Sequence, residues 1–204
     1  MQNQPDHRFT LLAFDMDGTL IDSLAAIVEA SVEAFAGTPF ETPTADQVRE
    51  VVGLHLELCV EHWAPQASPD QVRDLAERYR MAFRGQRARG EQNVTFYSGV
   101  SETLDLLRHD ETFMAVVTGK DRRGLDATLQ MQGFGHHFHS LQTPDTNPGK
   151  PAPDMVWSAN RETATEARET VGIGAECLPA VGGSAHWPSI CAARRLLPAA
   201  AGRA

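Results

Sequence analysis

The chain has 204 residues, a mass of 22.3 kDa and a net charge of -9, from 18 Lys and Arg against 27 Asp and Glu. This acidic balance argues against nucleic acid as the main partner, because duplex binding needs a concentrated positive surface. No apolar run approaches the ~20 residues of a membrane-spanning helix, and residues 1–10 lack the apolar stretch of a signal peptide. The three cysteines form no CxxC pair. We expect a cytoplasmic protein with one domain, with or without an insertion, and the sequence gives no indication of its oligomeric state.

Short apolar runs alternate with amphipathic stretches along most of the chain. Residues 9–14 and 113–117 predict buried strands, and residues 138–141 and 170–174 are weaker strand candidates. Residues 24–36 have apolar side chains at helical spacing, and further helices are predicted after Gly99, after Lys120 and from Pro153. Strands that alternate with helices indicate an α/β fold, in which a parallel sheet has helices on both faces.

Residues 44–95 are predicted to be helical throughout. Thr44 and the pair Ser68-Pro69 are typical helix starts, so we predict helices from about 45, over about 54–63 and from 69 to about 87. Asp22-Ser23, before the first helix, is interpreted as its N-cap, with a hinge as the alternative. Five arginines are interpreted mainly as a solvated helical face: Arg78, Arg80, Arg84, Arg87 and Arg89.

This pattern predicts a two-part organisation. Residues 8–20 and 96–175 are expected to form the α/β core, and residues 21–95 are expected to form a helical cap inserted after the first strand. Residues 176–204 contain three prolines, a Gly-Gly pair and an Ala/Arg-rich end, so we expect a poorly ordered or loosely packed tail.

Two carboxylates follow the first predicted strand, in Asp15-Met16-Asp17-Gly18-Thr19-Leu20. Ligands of open α/β sheets bind at the carboxyl ends of the strands, and residues two apart in extended chain project to the same side. Close carboxylates repel unless a cation neutralises them, and Mg²⁺ prefers such oxygen ligands. A surface turn rich in Asp and Gly is the alternative. An EF-hand calcium loop is excluded, because Leu20 stands at its sixth position, where glycine is required.

Two further polar positions follow the later strands. Thr118 and Gly119 precede a predicted helix, where a hydroxyl and backbone N–H groups can bind a phosphate oxygen. Lys150, in Pro148-Gly149-Lys150-Pro151, lies in a turn after the third predicted strand, from which an ammonium group can reach carboxylates and phosphate. Either signal alone is weak, because threonine caps and solvated lysines are common.

In this order, these residues resemble the motifs of the haloacid dehalogenase-like hydrolase superfamily, which are DxDGT, a Ser or Thr at a strand end, and a Lys. DMDGTLIDS, at residues 15–23, matches the first motif. The stretches VVGLHLE, FYSGV, TGKDRRGLD and TPDTNPGKPAPDM are similar to phosphoglycolate phosphatases, whose helical cap follows the first strand. The resemblance covers about residues 9–174.

The resemblance implies a doubly wound, Rossmann-like sheet and a phosphatase that acts on a small phosphorylated metabolite such as phosphoglycolate. Asp15 would be the nucleophile that forms an aspartyl-phosphate, and Asp17 would be the general acid and base. Thr118, Gly119 and Lys150 would hold the phosphoryl group, and Mg²⁺ would be bound by Asp15 and by the backbone carbonyl of Asp17. A phosphomutase is left open, because it would use the same intermediate.

The superfamily's acidic fourth motif is absent, which indicates a degenerate C-terminal part of the core. Ala175 and Pro179 stand at the two positions where the resemblance implies acids, and Glu176 is the last acidic residue of the chain. Glu176 could substitute, or the chain could be an inactive remnant that at most binds a phosphorylated ligand or a partner. A frame change near residue 174 is the third explanation, and we favour it for the tail. Loss of a metal carboxylate predicts weak Mg²⁺ binding and low activity.

Overall fold

The computed structural model describes residues 9–92, 94–108 and 111–174, together with the backbone of residues 189–190. The strands are Leu11–Phe14 (β1), Ile21–Asp22 (β2), Thr95–Phe96 (β3), Phe113–Val117 (β4), Ser140–Gln142 (β5), Thr170–Ile173 (β6) and Ser189–Ile190 (β7). The α-helices are Leu24–Phe35 (α1), Ala45–Val51 (α2), Leu56–Trp63 (α3), Pro69–Arg89 (α4), Val100–Leu107 (α5), Arg122–Gln132 (α6) and Asp154–Thr163 (α7). None of these helices is long and apolar enough to cross a membrane.

Five strands form a parallel sheet in the order β5-β4-β1-β6-β7. The central strand β1 is buried along its whole length, as expected for a strand with helices on both faces. Its residues Leu12 and Phe14 pack in a cluster with side chains of α5 and α6, whereas Ala13 packs with Met155 and Val156 of α7. The predicted α/β fold is therefore confirmed.

The register of the sheet brings several loops to one edge. Phe14, the last residue of β1, lies beside Val116 of β4 on one side and Ile173 of β6 on the other. Because these strands are parallel, the segments that follow them leave the sheet at the same end. Asp15 and Thr118 therefore follow neighbouring strands at the carboxyl edge.

Helices α1 to α4 form a layer with a hydrophobic cluster of its own. The cluster includes Phe35, Val48, Val60 and Leu75, each at most 2% exposed, and α1 packs along α4. Capping boxes at Thr44 and Ser68 begin α2 and α4, with proline at the first position of α4. We call residues 24–89 the helical layer.

Several element boundaries differ from the sequence-based predictions. Helix α3 begins at Leu56 rather than 54, because Gly53 adopts a φ of 101° that interrupts helical geometry. Strand β5 begins at Ser140 rather than 138, after a 3₁₀ turn over Gly135–His137. The sequence also did not predict β2 and β3, which pair antiparallel through Ile21 and Phe96.

Most of the predicted tail lies outside the described residues. The exception is β7, whose Ser189 and Ile190 pair parallel with Gly172 and Ile173 of β6. The sequence did not predict this edge strand, because a two-residue segment shows no alternation of apolar and polar side chains.

Truncating Leu125 tests whether its burial against the sheet stabilises the core. Leu125 on α6 is fully buried against the sheet, so Leu125→Ala should lower the free energy of unfolding by about 2–5 kcal/mol. Leu106→Ala is the matched control, because Leu106 on α5 is 73% exposed and should change little. Urea unfolding followed by circular dichroism measures both. Equal losses in the two variants would contradict this packing.

Candidate active site

Asp15 lies at the carboxyl end of the central strand and contacts Lys150. Its backbone N–H donates to the Ile173 carbonyl at 2.9 Å, which fixes the chain where β1 ends. The side-chain oxygen Oδ1 accepts a hydrogen bond from the Met16 N–H at 2.8 Å and lies 2.9 Å from Lys150 Nζ. Both side chains of the ion pair are largely buried, at 14% and 13% exposure. The structure therefore brings together the predicted nucleophile and the predicted lysine.

The electrostatic environment of Asp15 is only partly compensated. Burial raises the pKa of Asp15, Lys150 lowers it, and the neighbouring Asp17 raises it, so that the pKa lies above its ordinary value. The ionised carboxylate that a nucleophile requires is thus disfavoured by burial and favoured by Lys150. A further positive charge nearby would also favour the ionised form.

Asp17 is held by two side chains that the sequence analysis did not select. Ser23 Oγ donates to Asp17 Oδ1 at 2.6 Å, and Lys120 Nζ lies 3.0 Å from Asp17 Oδ2. The chain reaches this position through a turn in which Gly18, with a φ of 76°, donates its N–H to the Ile21 carbonyl. Each oxygen of the second carboxylate is therefore occupied by a defined partner.

The prediction that Asp22-Ser23 provides the N-cap of α1 is confirmed in position, because Ser23 is the N-cap residue. Its side chain, however, makes no capping hydrogen bond and contacts Asp17 instead. A usable signal was present, because Ser23 ends the stretch DMDGTLIDS that carries the resemblance. Lys120 likewise follows directly on Thr118 and Gly119.

Thr118 and Gly119 follow β4, beside the carboxylate pair. Thr118 is 1% exposed, and its backbone N–H donates to the Gln142 carbonyl at 3.2 Å. Its hydroxyl oxygen accepts a hydrogen bond from the Lys120 N–H at 3.3 Å. A Cβ on Gly119 would lie only 2.2 Å from the Leu54 carbonyl oxygen of the helical layer.

The loop between α2 and α3 lies directly over this site, and we call residues 52–55 the covering loop. A Cβ on Gly53 would lie 3.1 Å from Asp15 Oδ2. On the other side, a Cβ on Gly149 would lie 2.7 Å from His55 Cβ. The loop therefore approaches the segments that follow β1, β4 and β5, and glycines allow the close approach.

A cleft of about 950 Å³, including space open to solvent, lies between the helical layer and the core. Asp17 and Lys120 line it at the carboxylate end. Arg80, Arg84 and Arg87 also line it and are only partly exposed, so the interpretation of these arginines as a solvated face is wrong. Asp121 and Arg123, at the start of α6 in the core, line the same cleft across from Arg84.

The donor atoms present suit a hard cation such as Mg²⁺. Asp15 offers a carboxylate oxygen and Asp17 a backbone carbonyl oxygen within one turn, and Mg²⁺ is usually held by one or two carboxylates, waters and a substrate phosphate. Within residues 9–92, 94–108 and 111–174, no three His, Cys, Asp or Glu side chains cluster as a metal site. The fit therefore rests on Asp15 and Asp17, and Ala175 and Glu176 lie outside the described residues.

The parallel sheet, the carboxylate pair and the lysine are the features expected of the hydrolase family that the sequence resembles. Comparison with known proteins identifies the same family. A family model for haloacid dehalogenase-like hydrolases matches residues 12–177. A phosphoglycolate phosphatase from Vibrio parahaemolyticus is 31% identical over 169 residues, which are 80% of this chain and 74% of the relative. One from Rhodobacter capsulatus is 31% identical over 159 residues, covering 74% of this chain and 69% of the relative.

Solved structures show the same fold. A haloacid dehalogenase-like hydrolase from Bacteroides fragilis superposes with a TM-score of 0.73 at 20% identity, covering 82% of this chain and 79% of that one. The chain belongs to the haloacid dehalogenase-like hydrolase family. Within that family it is a phosphatase similar to the phosphoglycolate phosphatases.

Proposed function

We propose that the chain is a Mg²⁺-dependent phosphomonoester hydrolase that works through an aspartyl-phosphate on Asp15. The observation that carries the proposal is the contact of Asp15 with Lys150 beside Asp17. Asp15 Oδ1 is engaged by Lys150 and the Met16 N–H, and among the described residues no donor contacts Oδ2. We therefore assign the attack on phosphorus to Oδ2, which faces the covering loop.

The proposed reaction has two displacements at phosphorus. Asp15 Oδ2 forms a bond to phosphorus while the ester P–O bond breaks, and Asp17 gives a proton to the leaving alcohol oxygen. Asp17 then takes a proton from a water molecule, whose oxygen forms a bond to phosphorus while the bond between phosphorus and Asp15 Oδ2 breaks, and inorganic phosphate leaves. Asp15 is regenerated in the second displacement. Ser23 and Lys120 hold Asp17 in position for both proton transfers.

The remaining residues of the site would stabilise the charge of the phosphoryl group and limit the access of water. Lys150 would stabilise the negative charge of the transferring phosphoryl group, and the Thr118 hydroxyl and Gly119 N–H would bind its oxygens. Bound Mg²⁺, held by the Asp15 carboxylate and the Asp17 backbone carbonyl, would supply further charge stabilisation in the transition state. The helical layer would serve as a cap that excludes bulk water.

The substrate proposed is a small phosphorylated metabolite of the phosphoglycolate type. Two relatives at 31% identity are phosphoglycolate phosphatases, and the cleft beside Asp17 is lined by several cationic side chains. Transfer to a second acceptor would make the protein a mutase. The cytoplasmic location stays a prediction.

A non-catalytic remnant is the second candidate, and the absent acidic fourth motif favours it. Glu176 is the only acid after Glu169. Without the acid of the fourth motif, Mg²⁺ should bind weakly, and such ligand changes commonly cost about 10- to 100-fold in affinity or activity. For the hydrolase, we therefore expect low but metal-dependent turnover.

Phosphate release with and without Mg²⁺ tests the proposed function. We expect the purified chain to hydrolyse p-nitrophenyl phosphate and phosphoglycolate slowly with millimolar Mg²⁺, and EDTA should stop the reaction. Calcium in place of Mg²⁺ is the control for charge without suitable geometry, and it should not restore turnover. No release at any Mg²⁺ concentration would support the remnant, and release that resists EDTA would contradict the metal dependence.

A further inference from the structure

Three arginines meet where the helical layer faces the core. Arg84 and Arg87 stand three residues apart on α4 and therefore share a helix face. Arg123 stands on the first turn of α6 and approaches from the core side. All three line the same cleft as Asp17 and Lys120.

Carboxylates only weakly balance these guanidinium groups. Arg84 lies 3.6 Å from Glu77 and 3.7 Å from Asp121, both longer than a good hydrogen bond. Arg87 Nε donates to the neutral Gln92 amide oxygen at 3.3 Å. In the part of the chain that the structure describes, no carboxylate lies within 4.0 Å of Arg87 or Arg123.

Other arginines of α4 are paired more closely. Arg80 contacts Glu57 at 2.7 Å, and Arg89 contacts Glu91 at 2.6 Å. In contrast, burial and the neighbouring Arg123 and Arg84 lower the pKa of Arg87, although Asp121 raises it. Arg84 and Arg87 are half-buried, whereas Arg123 is exposed. Positive charge therefore accumulates around the half-buried Arg87, which costs free energy unless an anion binds.

We propose that Arg84, Arg87 and Arg123 form a subsite for a second anionic group of the substrate, a carboxylate or a second phosphate. The inference rests on the proposed function, because it assumes that the first anion is the phosphoryl group at Asp15. Phe83 and Tyr79 also line the cleft, with Lys120 Nζ 5.0 Å above the Phe83 ring and the two rings stacked at 5.9 Å. These rings offer an apolar wall for the carbon chain that links the two anions.

The subsite also bridges the two parts of the molecule. Arg84 and Arg87 belong to the helical layer, whereas Arg123 belongs to the core. An anion bound by both sides would hold the layer against the core. Substrates with a second anionic group should therefore favour the arrangement in which the helical layer lies against the core. A phosphate monoester without a second anion should not.

Binding of non-hydrolysable analogues tests the subsite without turnover. Isothermal titration would compare phosphonoacetate and propane-1,3-bisphosphonate, which carry a second anion, with methylphosphonate, which carries none. Arg87→Gln and Arg123→Gln should each weaken binding of the two-anion analogues by about 10-fold or more and leave methylphosphonate binding unchanged. Arg89→Gln is the matched control on the same helix. The two analogues distinguish a carboxylate from a second phosphate, because the preferred group should bind more tightly.

The possible outcomes distinguish a failure of the subsite from a failure of the proposed function. Equal binding of one- and two-anion analogues, or the same loss for all analogues in the Arg variants, would overturn the subsite. Turnover of p-nitrophenyl phosphate together with either result would leave the proposed function standing. Arginine-dependent binding without any turnover would support the subsite and overturn the hydrolase. Unchanged melting temperatures of both Arg variants show that a loss of binding is not a loss of folding.

Discussion

Replacing Asp15 by asparagine should reduce phosphate release by about 10³-fold or more, because a neutral amide is a much poorer nucleophile towards phosphorus than a carboxylate. The substitution keeps the size of the side chain, and its amide oxygen can still accept from the Met16 N–H and from Lys150. The fold should therefore survive while the chemistry is lost. Initial rates with p-nitrophenyl phosphate at saturating Mg²⁺ measure the effect.

The matched control is Asp126→Asn, which neutralises an exposed carboxylate on α6 that pairs with Arg122. Its rate should equal that of the wild type. Radioactive phosphate from a labelled substrate should remain on the denatured wild-type protein and be absent from Asp15→Asn. If Asp15→Asn kept a tenth of the wild-type rate, Asp15 would not be the nucleophile. Absence of turnover in both the wild type and Asp15→Asn would instead favour the non-catalytic remnant.

The fold was predictable because its central strands are continuous apolar runs. Residues 11–14 and 113–117 are short and buried on both faces, and each is followed by polar residues at the same edge of the sheet. Such runs carry their own signal, since length and flanking residues distinguish them from helices. The two-residue strands β2 and β3 have no period to detect, and they exist only because Ile21 and Phe96 meet in the folded chain.

Part of the candidate site was also predictable, from the spacing of the two carboxylates and from the resemblance to a known family. Asp15 and Asp17 follow the central strand directly, and the lysine expected beside them, Lys150, lies 2.9 Å from Asp15. Ser23 and Lys120 were missed, because their contacts with Asp17 depend on the turn at Gly18 and on the path of the chain after β4. A polar residue in a turn does not reveal from sequence which side chain it will meet.

The arginines of α4 show a different limit. Arginines spaced along a polar helix face have the same pattern whether that face meets water or another part of the protein. Only the start of α6 decides the matter, since Asp121 and Arg123 line the same cleft across from Arg84. Tertiary packing therefore turned a surface-like pattern into the lining of a cleft.

Adding one methyl group at Gly119 should impair the enzyme almost as severely as a change in its chemical groups. An alanine Cβ would lie 2.2 Å from the Leu54 carbonyl oxygen and 2.7 Å from the Gly53 carbonyl oxygen. Both are backbone atoms, so no side chain can rotate away, and the covering loop must move. Gly53 approaches Asp15, so this movement would also open the nucleophile to water. A displacement of about 1 Å at a reacting site can cost about 10²-fold in rate.

We therefore expect Gly119→Ala to lower kcat/KM by about 10²-fold while the protein stays folded, because the clash lies between the helical layer and the core rather than within either cluster. Gly135→Ala is the matched control, since its Cβ would meet only Leu129 Cβ at an ordinary 3.8 Å. Rates with p-nitrophenyl phosphate and limited proteolysis of the covering loop measure the two effects. Faster cleavage within residues 52–55 should accompany the loss of rate, since a displaced loop exposes its backbone. A Gly119→Ala protein as active and as protease-resistant as Gly135→Ala would show that close approach of the loop to Gly119 is not needed for turnover.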